Sequence, residues 1–407
     1  MKGYDEMNNI PVDQKIILGL LGKNLFARDF ELPNDVDWVS VAKESRAQTV
    51  FSIVFNNYKE LPLSEELAAK VKTALMKHTL SNVECFKNHT YLHELMTRNG
   101  ISYCAVKGAV SASYYPDPLM RAMGDVDFYV HPDDIATARA VFEKEGFTFD
   151  KSNHTHHIGM HHDGKHFEMH FKPVAYHDGW IGEIFDEYWS DIRATATLSE
   201  SALATYMAPT RFHHGFILLT HLQHHLFQEG VGLRHFCDWA VFVNSFSNDE
   251  FLSIFEARLK RIGLFRLAQL LSLGAVKHLG IAHRDWMGED YDTADELLLD
   301  IMYGGNFGRK DRRRVYEGML ICDRGAGNVQ SGRFSILMSS MNRIVNYNWR
   351  SAKKFPILYP IGWAYFSLRY LFRVITGKRK LNLIDNYRKS GERKDKYARL
   401  RVFEPEK

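Results

Sequence analysis

Cysteine is scarce in this chain: four residues among 407, Cys85, Cys104, Cys237 and Cys322, with no short metal-type spacing between any two. That excludes a compact Cys-rich zinc site and offers no framework of closely spaced disulfides, so a reducing cytoplasm is the expected compartment. Long apolar runs near the start are missing as well. The only stretch there is Ile16-Ile17-Leu18-Gly19-Leu20-Leu21, after Asp5 and Glu6, too short and wrongly flanked for an export signal. The sequence has no His-Glu-x-x-His string, internal repeat or low-complexity tract, which removes the metalloprotease-type site and the repeat architectures.

What the chain does have is a globular composition, 45% hydrophobic and 25% charged, with enough length for two or three units. The net charge of +3 is unevenly spread. Residues 343–401 carry sixteen Lys and Arg against three acids, a balance of +13, so the remainder sums to −10. The basic tail therefore reads as an electrostatic object of its own.

The chemistry concentrates in Lys107-Gly108 and in Arg121-Ala122-Met123-Gly124-Asp125-Val126-Asp127-Phe128-Tyr129-Val130. Alternation along a strand sets Asp125 and Asp127 on one face and Val126, Phe128 and Val130 on the other, a carboxylate platform backed by core. Hard oxygen ligands of this kind suit Mg²⁺. Lys107-Gly108 falls at an expected turn from strand Ile101–Val106 into a helix, where backbone N–H groups meet phosphate. Arg121 can fork onto a phosphate or orient a carboxylate, or be an ordinary surface arginine. Lys107 shares that ambiguity.

A third carboxylate follows from hairpin geometry. Asp163-Gly164 is a two-residue turn signal; closing the chain there pairs His162 with Lys165, Met160 with Phe167, Gly159 with Glu168, Ile158 with Met169 and His157 with His170. One face then carries Ile158, Met160, Phe167, Met169 and Phe171, the other Glu168 with His157, His161, His166 and His170, and Gly159 opposite the carboxylate. A one-residue slip would scatter the apolar set. His170 is expected beside the acidic group as a supporting partner. The other hairpin histidines, and His221, His224 and His225, are expected to be solvated or hydrogen-bonded rather than a dedicated zinc site.

The ordered set Lys107-Gly108, Tyr114-Tyr115-Pro116-Asp117-Pro118, Arg121, Gly124-Asp125-Val126-Asp127 and Glu168-Met169-His170-Phe171 resembles the polymerase-beta-type nucleotidyltransferase superfamily, and within it a bacterial family of uncharacterised nucleotidyltransferases. The likeness runs from about Asn82 to about Val243 and includes His221–His225 and Leu233–Ala240. It implies an α+β fold with an α/β-like catalytic core, a mixed sheet with flanking helices and a helical companion domain. It also implies two Mg²⁺ ions held by Asp125, Asp127 and Glu168 around an NTP; Lys107, Gly108 and Arg121 are the residues expected to reach that nucleotide. Two departures stand out: Gly108-Ala109 where the superfamily has Gly-Ser or Gly-Gly, and Glu168 in place of an aspartate.

The expected division is a helical lead-in over 1–80, the catalytic domain over 81–200, a helical domain over 201–330 and the basic, partly amphipathic tail over 331–407, with Asp323–Gly332 as the boundary before the tail. Residues 360–380 are short and charged for a membrane span but suit an interfacial helix on anionic lipid, at the inner face of the membrane. Docking on the protein's own core is the alternative for that helix. The expected activity is transfer of a nucleoside monophosphate from NTP to an unidentified acceptor; the second reading is a noncatalytic binding protein of the same fold, tethered to membrane or another polyanion. Nucleic acid stays open as an acceptor or partner.

Overall fold

A computed structural model describes residues 10–150, 156–172, 179–310 and 357–376, together with single positions and short stretches between 314 and 355 and between 393 and 405. Helices α1 (Val12–Phe26), α2 (Trp38–Ala47) and α3 (Phe51–Val54) lead into the long α4 (Glu65–Arg98). The Ser64 hydroxyl accepts from the Leu67 N–H at 3.3 Å to start α4, and Asn99 with Gly100 at φ 65° ends it, the stop that the sequence signals. Because α4 runs through residue 80, the lead-in and the catalytic region share one helix.

The sheet is assembled from β1 (Tyr103–Ala105), β2 (Val126–Val130), β3 (Thr148–Phe149), β4 (His157–His162) and β5 (Lys165–His170), in the order β1-β2-β5-β4-β3. It is mixed: β2 pairs with β5 in parallel and with β1 antiparallel. Helix α5 (Gly108–Ala112) follows β1, and α6 (Ile135–Lys144) follows β2. The β4–β5 hairpin turns at Asp163-Gly164, with φ of 46° and 74°, and its register pairs Gly159 with Glu168 and His157 with His170 as the alternation requires. Both turn residues need positive φ, which Asp tolerates and Gly adopts freely.

One sheet face is sealed by packing. Phe128, Met160, Phe167 and Met169 are fully buried against Leu92, Leu95 and Phe142, and the Phe142 ring lies 5.7 Å from Phe128 and 6.1 Å from Phe167. The carboxylates are thereby turned to the other face.

Beyond the sheet come α7 (Gly179–Trp189), the hairpin β6 (Thr197–Glu200) and β7 (Thr205–Ala208), α8 (Arg211–Phe227), α9 (Leu233–Asn244), α10 (Asn248–Phe251), α11 (Ala257–Ile262), α12 (Phe265–Leu279) and α13 (Tyr291–Gly304). Strand β7 returns to the first unit, with the Met207 N–H on the Tyr103 hydroxyl at 3.2 Å and the Thr205 N–H on Thr90 Oγ1 at 3.1 Å. A division at residue 200 would part β6 from its partner.

The boundary expected at Asp323–Gly332 lies outside the described residues. Parts of the basic tail are not a separate object: Tyr397, Leu400, Val402 and Phe403 are buried in the same core as α1 and α8. Arg393 and Tyr397 bond the Leu226 carbonyl, and Tyr397 donates to Asp300 Oδ2 at 2.6 Å. Helix α14 (Leu358–Ile375) stands nearer the surface. Among the described residues, no helix is long and apolar enough to cross a membrane.

Candidate active site

Strand pairing places the acids. Asp127 on β2 and Glu168 on β5 are direct register partners of a parallel pair, so their side chains share a face, and Asp125 joins that face two residues earlier. They line a cavity of about 660 Å³ between the sheet and helices α8 and α9, together with Lys107, Gly108 and Arg121. Lys107 and Gly108 occupy the turn from β1 into α5, both with positive φ, 58° and 22°. A Cβ on Gly108 would stand 3.3 Å from Nε2 of His89, a fully buried ring behind the turn.

Of the three acids on this face, Asp127 is the most enclosed. Its Oδ1 lies 3.1 Å from Lys107 Nζ and 2.7 Å from His170 Nε2. Burial opposes its ionisation, but Lys107 and His170 outweigh burial and hold the carboxyl well below its ordinary range. Glu168 lies 3.6 Å from His170 Nε2 and 3.7 Å from His157 Nε2; burial again opposes its charge and His170 lowers its pKa on balance. Asp125 differs. The charge on Asp127, then burial and Glu168, push its carboxyl up to about 6.

Three crowded carboxylates, one of them resisting ionisation, form an oxygen-rich site with more negative charge than Lys107 neutralises. That donor set fits a hard divalent cation. Donor atoms of Asp127, Glu168 and His170 lie within 4.8 Å of one another, so His170, expected as a supporting partner, also stands among the ligand-competent atoms. The sets His156/His157/His170 and Asp150/His161/His166 are as close. The space left by Gly159 is taken by Asp150, since a Cβ there would sit 2.3 Å from Asp150 Oδ2.

Arg121 is in the cavity wall but already engaged. Its Nε and Nη2 donate to the two oxygens of Asp238 at 2.7 and 2.8 Å, and the Tyr115 hydroxyl donates to Asp238 Oδ1 at 2.7 Å. Arg121 and Asp238 are 4% and 3% exposed, so this buried fork fastens the sheet unit to α9. The helical histidines have partners too: His221 and His225 meet through Nε2 at 3.2 Å, His225 Nδ1 lies 2.9 Å from Glu229, and His224 contacts Gln228 at 2.9 Å. Arg234 and His235, also in the cavity wall, were not singled out by sequence. The only signal for them was their place in the Leu233–Ala240 string.

A mixed sheet presenting paired acids beside a strand-to-helix turn, closed by helices, is the arrangement of a nucleotidyltransferase core. The sequence model of the family described as uncharacterised nucleotidyltransferase matches residues 34–280, and the chain belongs to that family. The match begins ahead of α2 and reaches the end of α12, wider than the span expected from motifs, so the helices facing the sheet are part of the family unit. A search of curated proteins finds no match.

Proposed function

We propose that the protein is an Mg²⁺-dependent nucleotidyltransferase that moves a nucleoside monophosphate from an NTP to an acceptor hydroxyl or phosphate. The observation that carries this is the register pairing of Asp127 with Glu168 on the open sheet face, with Asp125 adjacent. Asp125, Asp127 and Glu168 would hold the ions, which supply charge stabilisation for in-line displacement at phosphorus. The acceptor oxygen bonds to the α-phosphorus while the bond to the bridging oxygen of the β-phosphate breaks, and pyrophosphate leaves. Glu168, with its side chain 20% exposed against 7% for Asp127, is the more approachable from the cavity and takes the acceptor's proton. Lys107 and His170 keep Asp127 ionised and oriented. Incubation with α-labelled NTPs and cell extract tests this: a labelled product that depends on Mg²⁺ and on Asp127 supports it, and none with any NTP opposes it.

A second reading concerns where the protein works. In α14, Ile361, Tyr365, Leu368, Phe372 and Ile375 are 47–75% exposed and recur at spacings of three and four, so they form one stripe. The opposite side is docked: the Trp363 indole donates to Asn342, Tyr359 to Asn346, and Gly362 lies against Val345. Arg369 flanks the stripe, and Lys378-Arg379-Lys380 follows in sequence. Apolar residues beside cations match an anionic bilayer surface, which would set the enzyme, or a noncatalytic member of its fold, on a membrane.

A further inference from the structure

Neither cation that the sequence offers for phosphate is free in this cleft. Lys107 is held 3.1 Å from Asp127, and Arg121 is forked on Asp238. Arg234, in the first turn of α9, lines the same cavity. Its guanidinium makes one hydrogen bond, from Nη1 to the Ala122 carbonyl at 3.3 Å, while its buried Nε has no partner. Among the described residues, no carboxylate pairs with it; the nearby Asp238 is already occupied by Arg121 and Tyr115. His235 beside it is 6% exposed, lines the cavity and has both ring nitrogens unbonded.

A guanidinium whose buried Nε has no partner, and on which Asp238 and Asp125 act only from beyond direct contact, is under-satisfied, and a buried imidazole without a hydrogen bond adds to that cost. Two such groups side by side, facing a cavity that opens onto a metal-type acidic face, describe a site built for an anion. We propose that Arg234, assisted by His235, binds a phosphate group of the substrate. The planar guanidinium meets two phosphate oxygens at once, and a neutral His235 adds one donor. Burial and the adjacent Arg234 hold the His235 pKa well below its ordinary value, which keeps the ring neutral. The assignment rests on the nucleotidyltransferase reading of the cleft and deepens it. The phosphate comes from the NTP or from a phosphorylated acceptor, and binding measurements separate the two.

Calorimetric titration of the full chain with inorganic tripolyphosphate, ATP and ribose 5-phosphate, each in the presence of Mg²⁺, is run for the parent, Arg234→Met and Arg234→Lys, with melting curves of the free proteins alongside. The expected result is that R234M melts no lower than the parent yet binds at least one probe tenfold or more weakly, with R234K between them. Loss of tripolyphosphate and ATP binding assigns the phosphate to the nucleotide; loss confined to ribose 5-phosphate assigns it to the acceptor. If R234M fails to fold, R234K decides, because it keeps the charge and removes the fork. Equal affinities in parent and R234K for every probe, or no binding of any probe by the parent, would overturn the proposal. A parent that binds tripolyphosphate through Arg234 but transfers no nucleotide would sink the enzymatic reading alone; active protein with R234M and R234K unimpaired in binding would sink this assignment alone.

Discussion

Arg121 and Asp238 form a two-bond buried fork, 117 residues apart in sequence, that ties the loop ahead of β2 to helix α9. Removing one member leaves the other charged and unpaired in the interior, which costs about 3–5 kcal/mol. Asp238→Asn and Arg121→Met should each lower the urea midpoint accordingly, and the double variant should recover part of the loss. Two single variants as stable as the parent would show that the fork carries no structural load.

The raised pKa of Asp125 gives a pH signature. Its folded value of about 6 exceeds the ordinary 3.8, so the metal-free fold retains a proton that the unfolded chain has released. The stabilisation from that proton is complete below pH 3.8 and is lost as pH rises through about 6. Asp125→Asn removes the term and should gain on the parent between about pH 5 and 7, by an amount on the order of 1 kcal/mol. Melting temperatures in EDTA across that range measure it, and a variant that falls behind the parent as pH rises contradicts it. Added Mg²⁺ should narrow the difference.

Gly164 tests the hairpin that delivers Glu168. Its φ is 74°, and a Cβ there would meet nothing within 4 Å, so Gly164→Ala isolates the backbone cost of about 1 kcal/mol. A denaturation midpoint unchanged from the parent would mean that this turn conformation does not matter to stability.

For α14, sedimentation with vesicles of anionic lipid should capture the protein at low salt and less at high salt, since cations near such a surface contribute about 1 kcal/mol each and are screened. Leu368→Glu together with Phe372→Glu, both at exposed positions, should abolish capture without lowering the melting temperature. No capture under any condition removes the membrane reading, and capture equal for neutral and anionic vesicles removes the part assigned to the cations.

Much of the sheet was legible because its signals are local. Asp-Gly at the turn and strict alternation on both sides fix the β4–β5 register, and with it the face of Glu168. The Asn99-Gly100 stop is local in the same way. What stayed hidden depends on distant partners. Arg121 reads as a phosphate fork until Asp238 is brought to it, and Arg234 reads as one arginine among many until its buried Nε is seen unbonded in the cavity wall. The tail's charge reads as an electrostatic object of its own, yet Arg393 is 6% exposed among backbone carbonyls of distant elements. The continuity of α4 past residue 80 stays hidden because its two halves serve different cores, Leu67, Val71 and Leu75 in one and Leu92, Leu95 and Met96 in another.

The central claim is that Asp125, Asp127 and Glu168 serve metal-assisted chemistry on an NTP. Pyrophosphate release is its most direct test, followed with each NTP in Mg²⁺ or EDTA, in the presence of the acceptor fraction recovered from extract. The account predicts release by the parent in Mg²⁺ alone, a loss of at least about 100-fold in Asp125→Asn and Asp127→Asn with the fold retained, and a fall in turnover exceeding the fall in NTP affinity for Glu168→Gln. Parent-level release by both aspartate variants, or release that persists in EDTA, would contradict it.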